Sequence, residues 1–197
     1  MTVQLTTRRI LSIDAFRGIT ILVMIFVNEL SGVSGIPAWM KHMPAEADAM
    51  TFVDMVFPAF LFIVGMSIPF ALNSRLAKGD SILKVQAHIL IRTLGLLVLG
   101  VFMVNADNGN NSAMPLSIYL WSLLFYAAVI IIWNFYGTSQ KLLAVVLRVA
   151  GISMLVILAV LYRGGESGMA YMSPQWWGIL GLIGWAYAIS CIIYINS

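Results

Sequence analysis

Several side chains able to bind ligands or exchange protons share one apolar stretch. From Arg8 to His42 the chain reads RRILSIDAFRGITILVMIFVNELSGVSGIPAWMKH, with Asp14 and Arg17 toward one end and Asn28 and Glu29 toward the other. An ionisable group inside a membrane span costs at least ~2.5–3.5 kcal/mol on insertion scales, so its presence points to a task. At about 100° per residue, Asp14, Arg17, Ile21, Met24, Ile25 and Asn28 fall within an arc of roughly 100°. Asp14 and Asn28 stand about 21 Å apart at 1.5 Å per residue, which is most of a ~30 Å hydrocarbon core. One helix face therefore addresses both sides of a membrane. Asp14 and Arg17, at i and i+3, can pair directly. Such a pair either neutralises itself near the interface, with the arginine snorkelling to the headgroups, or presents a cation to an anionic ligand with the carboxylate orienting it.

His42 lies in the connection that follows, with Lys41, Glu46, Asp48 and Asp54 close in sequence. A histidine, whose unperturbed pKa is ~6.5, suits general-base work near neutrality, and a neighbouring carboxylate can fix its tautomer. The alternative is a solvated loop histidine. Asp54 opens the next apolar run, where a helix N-terminus favours an acid on dipole grounds alone. Asn105, Asp107, Asn108, Asn110 and Asn111 make a second polar connection, either a carbohydrate-bonding loop or a solvated one. His88 and Arg92 read as interfacial anchors or as contacts for an anion. With Cys191 as the one cysteine and two histidines in all, neither a disulfide nor a cysteine- or histidine-rich metal site is expected.

The elements that must position these residues are apolar spans. The chain is 61% hydrophobic and only 10% charged, with mean hydropathy +0.95, against about 25% charged in a soluble domain. This balance describes an all-α polytopic membrane bundle. Six spans are expected, at about 10–30, 52–72, 87–105, 115–134, 142–162 and 175–195. Arg8, Arg9, Arg75, Lys78, Lys84, Arg92, Lys141 and Arg148 gather on one side of the membrane, with Lys41 and Arg163 alone on the other. The positive-inside rule then puts the N-terminus in the cytoplasm and His42 outside. The net charge of +3 is explained by this topology and implies no nucleic-acid partner. Trp39, Trp121, Trp133, Trp176, Trp177, Tyr119, Tyr171 and Tyr194 fall near predicted span ends, as interfacial belts do. Pro58 and Pro69 suggest a kink in span 2, and Gly178, Gly181 and Gly184 a smooth contact strip on span 6. Arg8 and Arg9 before an apolar run resemble a signal peptide, but the run is too long and is interrupted by charge, so it reads as a retained helix.

The segments RILSIDAFRGITILVMIFVN and KHMPAEADAMTFVDMVFPAFLFIVGMSI resemble the start of the heparan-α-glucosaminide N-acetyltransferase catalytic family, which includes bacterial predicted membrane acyltransferases. The shared pattern is R-x-x-S-x-D-x-x-R-G, a helix ending in V-N, a loop with K-H, then D-x-V-F-P-x-F-L-F-I-x-G; it covers residues 9–68, and MSPQWWGILGLIGWAY near the end is similar in character. The resemblance implies transfer of an acetyl group from cytoplasmic acetyl-CoA to an amino sugar or glycan on the outer face. It makes His42 the active-site histidine, as base or acetyl carrier, with Asp14 and Asn28 in the reaction chamber. It makes Arg17 a contact for the anionic donor, beside a basic rim of Arg75, Lys78 and Arg92. Asp54 and Asn105 are then acceptor contacts. Family members have ten or eleven spans, so residues 1–197 read as one transmembrane domain forming the N-terminal half of a longer bundle, completed in trans if the chain forms a homo-oligomer. The span 6 ending, with no basic residue behind it, reads as cut. A bacterial inner membrane is the expected location, with lipids, acetyl-CoA and the acceptor as partners. The competing readings are a secondary transporter or channel lined by Asp14, Arg17 and Asn28, and an inactive membrane scaffold.

Overall fold

A computed structural model describes residues 10–30, 32–44, 46–137 and 141–196. Arg8 and Arg9 of the charge argument lie outside these residues. Among the described residues the chain is helical throughout: α1 (Leu11–Leu30), a 3-10 turn (Ala38–Met40), α2 (Phe52–Ala77), α3 (Ile82–Ala106), α4 (Ile118–Trp133), α5 (Lys141–Leu161) and α6 (Gly178–Asn196). No strand forms among the described residues, and isolated bridges join Gly164 to Gly109 and to Ala170.

Five helices, all but α4, are long and apolar enough to cross a membrane. With 16 residues, α4 reaches about 24 Å, shorter than the expected span at 115–134. It starts beyond Pro115, where the Ser117 hydroxyl caps it by accepting the Leu120 N–H at 3.3 Å, and it ends at Asn134. The helix α2 runs unbroken through Pro58 and Pro69. Wide apolar faces stay open, among them Leu22 on α1 and Leu142 and Val160 on α5, as lipid-facing helices require.

The chain divides into two compact units, Met1–Thr93 with Trp185–Ser197, and Leu94–Gly184. In the first, α1 and α2 pair through Val27, Val53 and Val56, with Val23 and Met24 against them. The lower half of α2 packs with α3 and α6 through Ile68, Leu72, Val85, Ile89, Tyr187 and Cys191. In the second, α4 and α5 close on an aromatic core. Phe102 stacks on Trp121 at 5.4 Å and on Phe125 at 4.9 Å, and the Trp121 indole N–H donates to the Leu158 carbonyl at 2.8 Å. Trp121, expected in the interfacial belt, is thus fully buried; a partner for its N–H lets the whole ring enter the core. Trp39, Trp133, Trp176, Tyr119 and Tyr171 are exposed. Gly178 and Gly181 of α6 lie close against Gly100 of α3: a Cβ on Gly178 would stand 2.8 Å from the Gly100 carbonyl oxygen, and one on Gly100 would stand 2.4 Å from the Gly181 nitrogen.

Candidate active site

The loop carrying His42 is fastened to the start of α2. Thr51 and Asp54 stand at the N-cap and third positions, the spacing of a capping box. One oxygen of Asp54, Oδ2, accepts the Thr51 N–H at 2.9 Å and the Met43 N–H at 3.3 Å. The Thr51 hydroxyl donates to the Lys41 carbonyl at 2.7 Å, and the Trp39 and Phe52 rings meet at 5.6 Å. These ties fix the backbone on both sides of His42. The second oxygen of Asp54, Oδ1, is left for the His42 ring, whose Nδ1 lies 2.7 Å away. An ionised carboxylate can only accept, so Nδ1 carries the proton and the lone pair of the neutral ring sits on Nε2. The His42 side chain is 61% exposed and that of Asp54 21%. A base with a fixed tautomer therefore faces outward from a loop that cannot easily turn.

Asn28 stands in the last turn of α1, next to Val27, which packs on Val53 beside Asp54. It belongs to the same end of the α1–α2 hairpin as the His42–Asp54 pair. Asp14 and Arg17 form an ion pair in the opposite half of α1, and Thr20 one turn on donates to the Phe16 and Arg17 carbonyls at 3.0 and 2.9 Å.

The expected basic rim is built around an acid. Asp80, between α2 and α3, accepts from Lys84 at 2.6 Å and Arg75 at 3.2 Å. The hydrogen bond from Lys84 holds the Asp80 carboxyl below its ordinary value, and Arg75 adds to the effect. Arg75 also donates to His88 Nε2 at 3.1 Å, which makes that ring accept through Nε2. Arg92 lies over the Tyr187 ring, 5.0 Å from its centroid, and Lys78 is the exposed C-cap of α2.

Asn105 is placed elsewhere, in the second unit. It is 1% exposed, and its amide nitrogen donates to the Val101 and Ser173 carbonyls, each at 2.7 Å. Its oxygen accepts from the Ser173 N–H at 3.3 Å. It brackets the last turn of α3 to the segment before α6, with its amide satisfied as buried amides must be. Asn108, Asn110 and Asn111 likewise bond backbone, at the end of α3, in the loop after α5 and at the start of α4 respectively. Among the described residues, no three His, Cys, Asp or Glu side chains gather as metal ligands do.

Thr51 and Asp80 are absent from the sequence-based assignment. The T-x-x-D spacing of a capping box and the i, i+4 spacing of Asp80 and Lys84 are the signals that could have revealed them.

A family model described as a domain of unknown function, DUF5009, matches residues 9–196. The chain belongs to that family. This DUF5009 chain is also related to the heparan-α-glucosaminide N-acetyltransferases: it is 36% identical to the mouse enzyme over 102 residues and 38% identical to the human enzyme over 99. Those stretches are 52% and 50% of this chain but 15% and 14% of the relatives' lengths. No solved structure matches. The DUF5009 match includes every residue of the His42–Asp54 arrangement and of the Asp14–Arg17 pair, and the five spanning helices make this a multi-pass membrane protein.

Proposed function

We propose that this protein is a membrane acetyltransferase that moves an acetyl group from acetyl-CoA to an amino sugar or glycan. The observation that carries the proposal is the His42–Asp54 pair at 2.7 Å in a chain related to N-acetyltransferases. The positive-inside pattern supports a topology with the α2–α3 turn in the cytoplasm and His42 on the outer face, and the resemblance of residues 9–68 to bacterial members supports a bacterial inner membrane, with that outer face periplasmic.

In the proposed reaction the acceptor amine or hydroxyl gives its proton to His42 Nε2 while its nitrogen or oxygen attacks the thioester carbonyl. The tetrahedral intermediate collapses with breakage of the carbon–sulfur bond, and the proton on Nε2 passes to the departing thiolate. Asp54 holds the ring and stabilises the imidazolium, and Asn28 donates to the developing oxyanion. Arg17, Arg75, Lys78 and Arg92 meet the anionic end of the donor, with Asp14 orienting Arg17. A transient acetyl-histidine is the two-step form of the same chemistry.

The test is a sealed proteoliposome with glucosamine inside and labelled acetyl-CoA outside. Labelled N-acetylglucosamine should appear inside, at a rate set by the protein oriented with its α2–α3 turn outward. Entry of unmodified acetyl-CoA, or exit of glucosamine, without acetylation would contradict the proposal and favour transport.

A further inference from the structure

Within the first unit, α2 and α6 leave a lateral cleft of about 310 Å³ lined by Gly65, Ile68, Pro69, Ser190, Ile193 and Tyr194. Its walls are mostly apolar, yet it holds polar groups at membrane depth. Pro69 has no N–H to offer the Gly65 carbonyl four residues earlier, so that oxygen lacks its usual helical donor. Ser190 adds a hydroxyl from α6. A backbone or hydroxyl oxygen exposed to lipid tails costs several kcal/mol, so a ligand able to hydrogen-bond there is favoured over a plain hydrocarbon chain.

The position of the cleft names its occupant. Gly65 is eleven residues along α2 from Asp54 and ten from Arg75, or about 17 Å from one and 15 Å from the other at 1.5 Å per residue. Tyr194 at the cleft accepts a hydrogen bond from Asn73 at 2.8 Å, and Asn73 precedes Arg75 by two residues. The cleft thus lies between the cationic pair of Arg75 and Lys84 and the end of α2 that holds His42. An acyl thioester on a slender arm with two amides, ending in phosphates, has this sequence of chemistry: anion, amide-bearing apolar chain, reactive tip.

We infer that the cleft between α2 and α6 receives the amide-bearing arm of the acyl donor. This inference rests on the acetyltransferase reading above. Asp80, which now pairs with Arg75 and Lys84, is the internal anion that the donor's phosphates replace.

Gly65 provides a clean test, because a Cβ there meets nothing within 4 Å and a larger side chain can enter the cleft without disturbing the packing. Binding of acetyl-CoA and of pantetheine to the full chain in nanodiscs would be measured for wild type, Gly65→Leu and Ser190→Ala, with Val149→Leu on the exposed face of α5 as control. Gly65→Leu should weaken both ligands at least tenfold and Ser190→Ala a few-fold, with the control unchanged. Wild-type affinity in Gly65→Leu, or no saturable binding by the folded wild type, would overturn the inference. So would displacement of a spin-labelled phospholipid by Gly65→Leu with acetyl-CoA affinity intact, since that assigns the cleft to lipid. Failure of the catalytic reading has a separate signature: donor binding that depends on Gly65 alongside transfer that survives His42→Ala.

Discussion

At the scale of single residues, what matters is which hydrogen bond each oxygen of Asp54 makes. Its Oδ2 satisfies backbone donors and its Oδ1 takes the His42 ring. An Asp54→Asn variant keeps an acceptor for the Thr51 N–H but turns an NH₂ toward Nδ1. That forces Nδ1 to accept and puts the ring proton on Nε2, where a base needs its lone pair. The expected outcome is a kcat lowered by about tenfold or more with little change in the KM for acetyl-CoA. Asp54→Glu, which retains the charge, should recover part of the rate. A variant whose KM rises while kcat holds would show Asp54 acting in binding instead. Asp80 offers a second residue-scale prediction. Its folded carboxyl is held below the ordinary value of 3.8, so its ion pairs contribute fully above that value and are lost as the pH falls through the lower folded value. The thermal stability gap between wild type and Asp80→Asn in detergent should therefore be present near about pH 6 and shrink toward about pH 3.

At the scale of elements, close helix contact in the second unit depends on glycine. A methyl group on Gly100 would stand 2.2 Å from the Trp177 carbonyl oxygen and 2.9 Å from the Gly181 Cα, and neither is the end of a flexible side chain. Gly100→Ala should lower stability by about 1–3 kcal/mol, as overpacking typically does, and differential scanning fluorimetry in detergent would show it. Helix existence was readable in the sequence because apolar length is a strong signal, and all six described helices fall within five residues of their expected bounds. The bounds that ran furthest from expectation are the end of α2, at Ala77, and the start of α3, at Ile82, where charged residues extend the helices past the apolar run; α4 starts late because Pro115 and the Ser117 cap trim an apolar run that continues in composition. Burial was the least readable. Trp121 near a span end looks interfacial until Leu158 of α5 supplies its acceptor, and Asn105 looks available until Ser173 bonds it on both sides. These partners lie 37 and 68 residues away, beyond any local pattern. The His42–Asp54 pair is intermediate: both residues stood out by type and proximity, but the ties through Thr51 and Met43 that aim them are properties of the folded loop.

At the scale of the whole molecule, the proposed mechanism requires that His42 and the Arg75–Lys84 cluster face opposite compartments. The single cysteine makes this measurable. Cys191 is fully buried, so a water-borne reagent does not reach it. Wild type can then serve as background for Glu46→Cys in the His42 loop and Lys78→Cys at the end of α2, both exposed. A membrane-impermeant maleimide applied to intact spheroplasts should label Glu46→Cys and spare Lys78→Cys, with the pattern reversed in inverted vesicles. Labelling of both from one side would contradict the topology and with it the transfer of acetyl groups across the membrane.

The measurement that bears most directly on the central claim is the acetyl-transfer rate of His42→Ala, taken with its acetyl-CoA affinity in the same preparation. The account predicts a rate lowered by about 10²–10⁴-fold with donor binding retained. Undiminished transfer in that variant would contradict it, because no other side chain in the described loop has a base held at a fixed tautomer by a carboxylate.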